Sequence, residues 1–153
     1  RHTASPPDMM KIAALLALTA PTAAFTLAPG FRTAASRSPI SMVCITDGVE
    51  FDTVAREWRM KWSGDDDKAS LAAAQKVLDE TASTLKEIPG VKSVQRVVCG
   101  GCLDFKVITA LNADDFGAWE EKDFAPEADF LAKLKDIDGI SQIETQTFTI
   151  MPV

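Results

Sequence analysis

Tyrosine is absent from this sequence, and histidine occurs once, at position 2. Everything after His2 is therefore unable to run a Ser-His-Asp or Cys-His mechanism. Nor can it offer an imidazole to haem or zinc. General acid or base work would fall to Asp, Glu, Lys or Cys. Acidic residues are missing between Met9 and Ile45. Long apolar runs are missing too. The run from Ile12 to Leu18 is too short to span a bilayer, and Pro21 stands just beyond it.

What is present divides unevenly. The 153 residues suit one domain. From Val43 onward, 12 basic residues face 21 acidic ones, a net charge of −9. An acidic domain repels phosphate backbones and anionic lipid surfaces, and no basic patch with interleaved aromatics occurs. Neither nucleic-acid binding nor a membrane-spanning mature domain is expected.

Residues 1–42 read as a presequence. Lys11, the run Ile12–Leu18 and the small residues after it have the order of a secretory signal peptide. "FTLAPGFRTAASRSPISM" then carries Arg32, Arg37, several Ser and Thr, and no acid, which is transit-peptide composition. Together, with an Ala24-Phe25 junction, they resemble the bipartite presequence of algae with complex, red-lineage plastids. That implies import into the chloroplast stroma, with a mature chain beginning near Met42. The alternative is an ordinary secreted protein with an N-terminal spacer. Arg1–Asp8 has no evident role.

Residues 43–153 read as one α+β domain. In "EWRMKWS", Trp58, Met60 and Trp62 alternate with Arg59 and Lys61, which predicts a half-buried strand. Asp65 to Asp67 predict a capped helix start. Leu71, Ala74, Leu78, Leu85 and Ile88 recur at helical spacing, and Pro89-Gly90 stops the helix. Two strands come next, Val91–Cys99 and Cys102–Leu111, joined by Gly100-Gly101 as a two-residue type I′ turn. A second helix starts at "NADDFGAWEE", is interrupted at "KDFAP", resumes with Phe130, Leu134 and Ile137, and ends at Asp138-Gly139. "SQIETQTFTIM" is the last strand. The order β-α-β-β-α-β predicts a ferredoxin-like fold, with a four-stranded antiparallel sheet and helices on one face. The other face then needs a cover, and a homodimer with sheets packed face to face supplies one. Alternation alone does not say whether the Trp set or the Arg/Lys set faces the helices.

Four short stretches carry a family resemblance. They are Leu85–Val91 (Leu-x-x-x-Pro-Gly-Val), Gly101–Asp104 (Gly-x-x-Asp), Ile137–Ile140 and the Thr-rich Thr145–Thr149. Over residues 56–151 the sequence resembles the ligand-binding, oligomerising domain of the Lrp/AsnC regulators, within the dimeric α+β-barrel superfamily. The resemblance implies an oligomer and an effector site near the hairpin of Gly101 and Asp104. The transcription-factor role does not carry over. Residues 43–55 are too few for the helix-turn-helix of those regulators, and the charge is wrong. The "KDFAP" break is closer to the split second helix of monooxygenase-type members of the superfamily.

"VVCGGCLDF" sets Cys99 and Cys102 in a C-x-x-C spacing. Across a hairpin turn their Cα atoms would lie about 5.5 Å apart, within disulfide range. Zinc needs four ligands, so two such hairpins would have to meet across a dimer. A thioredoxin-like site needs a helix N-terminus to lower the thiol pKa, and a hairpin has none. The stretch reads as a turn first and as a reversible redox switch second. Neither a metal nor a cofactor is implied.

The candidate binding residues are Gly101, Asp104, Trp58 and Trp62. Each has a plainer reading: Asp104 as a turn residue paired with Lys106, the tryptophans, with Trp119, as core or interface packing. Glu144 and Gln146 alternate with Thr145 and Thr147, so one polar set could line a cleft. The expected function is a non-DNA-binding plastid module that dimerises and binds a small molecule or a partner protein. One alternative is a cofactor-free monooxygenase or isomerase acting between sheet and helices, with Asp104 and Glu144 as its catalytic carboxylates. Another is an accessory subunit of a photosynthetic complex.

Overall fold

β3, Thr53–Lys61, is the strand on which the domain is built. In the computed structural model, which describes residues 42–153, it pairs antiparallel with β5 (Asp104–Asn112) on one side and β6 (Ser141–Ile150) on the other. β4 (Val91–Cys99) pairs with β5, giving the order β4-β5-β3-β6. β3 begins four residues before the aromatic alternation does. Thr53–Arg56 are held in register by two neighbouring strands, which outweighs their weaker pattern. A small separate hairpin, β1 (Val43–Thr46) and β2 (Val49–Phe51), precedes the main sheet. The presequence reading lies outside the described residues.

Three helices lie on one face: α1 (Ala69–Glu87), α2 (Ala113–Glu120) and α3 (Glu127–Lys135). α1 buries Ser70, Ala74, Leu78, Thr81 and Leu85, the expected i, i+4, i+3 stripe, with Leu71 and Ile88 at its rim. Gly90 ends the helix at φ +81°, and a side chain there would run into that of Asp115. The break between α2 and α3 contains a cis Ala125–Pro126 bond and two left-handed residues, Asp123 and Phe124.

The ambiguity of β3 resolves by register. Val54, Arg56, Trp58, Met60 and Trp62 face the helices, where Trp58, Met60 and Trp62 join Phe105, Val107, Leu111, Phe130 and Leu134 in the core. Arg59 and Lys61 therefore lie on the open face. Among the described residues no helix is long and apolar enough to cross a membrane.

Two local expectations are corrected. Asp65–Asp67 do not cap α1. Asp66, Asp67 and Lys68 form a left-handed turn (φ 49°, 52° and 64°) ahead of it. The Asp65 carboxylate instead accepts from the Ser63 hydroxyl at 2.6 Å. The β4–β5 turn is not a two-residue type I′ turn. Cys99 pairs with Asp104, which leaves residues 100–103 as a four-residue loop, and the positive φ falls on Leu103 (53°). Cys102 thus sits in the turn, not in β5.

Candidate functional site

Register brings a set of charged side chains onto the open sheet face. β3 supplies Glu57, Arg59 and Lys61; β5 supplies Asp104 and Lys106; β6 supplies Glu144 and Gln146. Lys61 is opposite Asp104, and their Nζ and Oδ1 atoms are 2.8 Å apart. Arg59 reaches both Asp104 oxygens at 3.3 Å and lies 3.9 Å from Glu144. Lys106 is 3.5 Å from the buried Glu57, which also accepts from the Gln146 amide at 2.9 Å. Lys61 donates to the Cys102 carbonyl at 2.8 Å as well, which ties this set to the turn.

The hydrogen bond from Lys61 holds the Asp104 carboxyl below its ordinary value of 3.8; Arg59 adds to this, and burial opposes it. A carboxylate so held is a weak base with its lone pairs engaged. It suits a structural acceptor better than a proton abstractor. Its folded pKa lies below its unfolded pKa, so its contribution to stability is complete above the unfolded value. That contribution is lost as pH falls from there through the lowered value. Asp104→Asn should therefore flatten the acid limb of a stability profile below about pH 4, read by urea unfolding at successive pH values. A variant profile parallel to wild type would refute the pairing.

Beside the charges lies an apolar band. Ala55 is opposite Ala110 and Phe148, and Ile108 is opposite Glu57. Val97 and Ile150 flank them and are exposed. Ala55 and Ala110 are already buried, Ile108 and Phe148 are half-buried, and none of these residues belongs to the core cluster under the described helices.

The other face holds a separate polar group. Arg56 donates to both Glu127 oxygens, at 2.7 and 2.8 Å, and to the Thr145 and Thr147 hydroxyls. The Trp58 indole N–H donates to Glu127 at 2.6 Å, and its ring lies 4.6 Å from that of Phe130. Phe124 stacks under the Arg56 guanidinium at 4.2 Å.

The structure therefore separates residues that the sequence grouped. Asp104 and Glu144 share the open face, while Trp58 and Trp62 are buried on the helix side. A single pocket between sheet and helices cannot be lined by all four. Trp119 is also buried and donates to the Ala125 carbonyl. Gly101 sits in the exposed turn, where a disulfide joins Cys99 and Cys102 with Cα atoms 5.4 Å apart. A cross-link closing so short a loop contributes about 2 kcal/mol at most. Reduction should add two hydrogens per chain by mass spectrometry and leave the circular dichroism unchanged. A chain that unfolds on reduction would give the bridge a larger role.

Sequence reasoning missed Glu57, Arg59, Lys61 and Lys106 as one set. Their common parity is visible, but only the register shows that they meet. It also missed Arg56 and Glu127, for which a separation of 71 positions leaves no local signal.

No family model matches the sequence, and no curated protein matches it. Solved structures do match. A candidate antibiotic biosynthesis monooxygenase from Deinococcus radiodurans is 13% identical, with 65% of this chain and 94% of that one covered at TM-score 0.51. A second such candidate, from Caulobacter crescentus, is 13% identical, with 67% and 92% covered at TM-score 0.51. A dimeric ferredoxin-like protein from an uncultured marine organism is 14% identical, with 67% and 90% covered at TM-score 0.47. At such identities the likeness speaks for architecture alone: the chain has the ferredoxin-like α+β fold, a four-stranded antiparallel sheet backed on one face by three helices.

Proposed function

We propose that this protein is a small binding module that works as a homodimer, two copies packing their open sheet faces together. One observation carries the reading. The open face holds three acids (Glu57, Asp104, Glu144) and three bases (Arg59, Lys61, Lys106) beside its apolar band. It is neutral in a domain of net charge −9. Two copies repel each other elsewhere, but not there. A symmetric interface must be complementary to itself, and interleaved charges of both signs meet that demand. Thermal unfolding tests the reading: the midpoint of a dimer rises with protein concentration. A midpoint independent of concentration would overturn it.

The Lrp/AsnC resemblance supports ligand binding by such a module. The composition of the leader supports a plastid stroma as its location, which a fluorescent fusion of residues 9–42 that stayed in the cytosol would refute.

A second reading is a cofactor-free oxygenase or isomerase, and only its monooxygenase part draws on how the Deinococcus radiodurans neighbour is described. Its chemistry would lie between sheet and helices, beside Trp58. The carboxylate that bonds Trp58 is Glu127, and Arg56 already engages both of its oxygens. That arrangement favours binding over proton transfer.

A further inference from the structure

α1 crosses the sheet without covering the end of β4. Val94 packs against the core, whereas Val98, on the same side of the same strand, is 40% exposed. Between the first turns of α1 and this end of β4 lies a groove of about 380 Å³. That is the size of a small-molecule site. Its floor is apolar: Leu71 and Ala72 from α1, Val98 from β4 and Phe105 from β5.

One cation stands in its wall. Three arginines occur among the described residues. Arg56 pairs with Glu127 and Arg59 with Asp104. Arg96 has no carboxylate partner among the described residues, although acids outnumber bases 21 to 12 from Val43 onward. Its Nη1 donates to the Gln75 side-chain oxygen at 2.5 Å. The Gln75 amide in turn donates to Asp79 at 2.7 Å. The guanidinium is thus steered by a neutral group, and four of its five donors are left for something else. Asp67 and Lys68 also line the groove, one charge of each sign.

We propose that this groove binds a small apolar carboxylate, with the acid on the fork of Arg96 and the apolar body on Leu71, Val98 and Phe105. A planar fork matches a carboxylate in a bidentate way, and the surrounding acidic surface makes an unpaired arginine a selective anchor. The proposal rests on the chain being a binding module and not on its dimerising.

Isothermal titration of the 153-residue chain tests it, with decanoate and 2-naphthoate as probes and decan-1-ol as the uncharged control. At least one acid should bind at about millimolar concentration or below, and more tightly than the alcohol. Arg96→Gln should weaken the acid by about tenfold to a hundredfold and leave the alcohol unchanged. Val98→Trp should fill the groove and abolish both while keeping the fold, since Val98 is at the surface. The proposal is overturned if neither acid binds, or if Arg96→Gln binds the acid as wild type does. Light scattering on the same samples keeps the two readings apart. A monomer that binds the acid overturns only the dimer, and a dimer that binds neither acid overturns only the groove.

Discussion

Ile108→Lys is expected to turn the dimer into a monomer, raising the dissociation constant at least about a hundredfold. Ile108 is half-buried at the middle of the open face, on β5 and opposite Glu57 on β3. In the dimer a lysine there would bury an ammonium at the centre of the apolar band, twice over by symmetry. In the monomer the long lysine stem can carry the ammonium out to water from this half-buried position, beside the Glu57 carboxylate across the ladder. The variant therefore separates association from folding. Light scattering should give the monomer mass, and circular dichroism a spectrum like that of wild type. A folded variant that still dimerises would move the interface elsewhere on the molecule.

Glu127→Ala should lower the stability of the domain by about 3 kcal/mol. The Glu127 and Arg56 side chains are each 14% exposed. Removing the carboxylate leaves the guanidinium its two threonine hydroxyls and the Phe124 face, and no counter-charge. It also strands the N–H of Trp58, a residue 1% exposed. The link between β3 and the first turn of α3 is lost with it. For a domain of this length the melting temperature should fall by about 15 °C. Glu127→Gln keeps one acceptor and should lose about half as much. A fall in Glu127→Ala of less than about 4 °C would show that the cluster adds little.

The element order from β3 onward was legible because each signal was local, whereas the β1–β2 hairpin was not foreseen. Trp58-Arg59-Met60-Lys61-Trp62 alternates, the α1 stripe repeats at helical spacing, and Pro89-Gly90 and Asp138-Gly139 punctuate. What depends on register was not legible. Glu57, Arg59 and Lys61 share a parity, but nothing in the chain says that Asp104, Lys106 and Glu144 lie across from them. Gly100-Gly101 suggested a two-residue turn, yet the pairing of Cys99 with Asp104 makes a longer loop and passes the left-handed position to Leu103. The run of three aspartates suggested a cap, yet Ser63 takes the side chain of Asp65. Asp104 finds its partners on the neighbouring strand, in Lys61 and Arg59, whereas Lys106 two positions along faces Glu57.

Self-association is the claim on which the functional reading depends, and native mass spectrometry of the 153-residue chain at micromolar concentration measures it directly. A species of twice the chain mass is expected, with a return to the single mass in Ile108→Lys. A wild-type chain found only at the single mass, folded and stable, would contradict it and leave the open sheet face to a different protein.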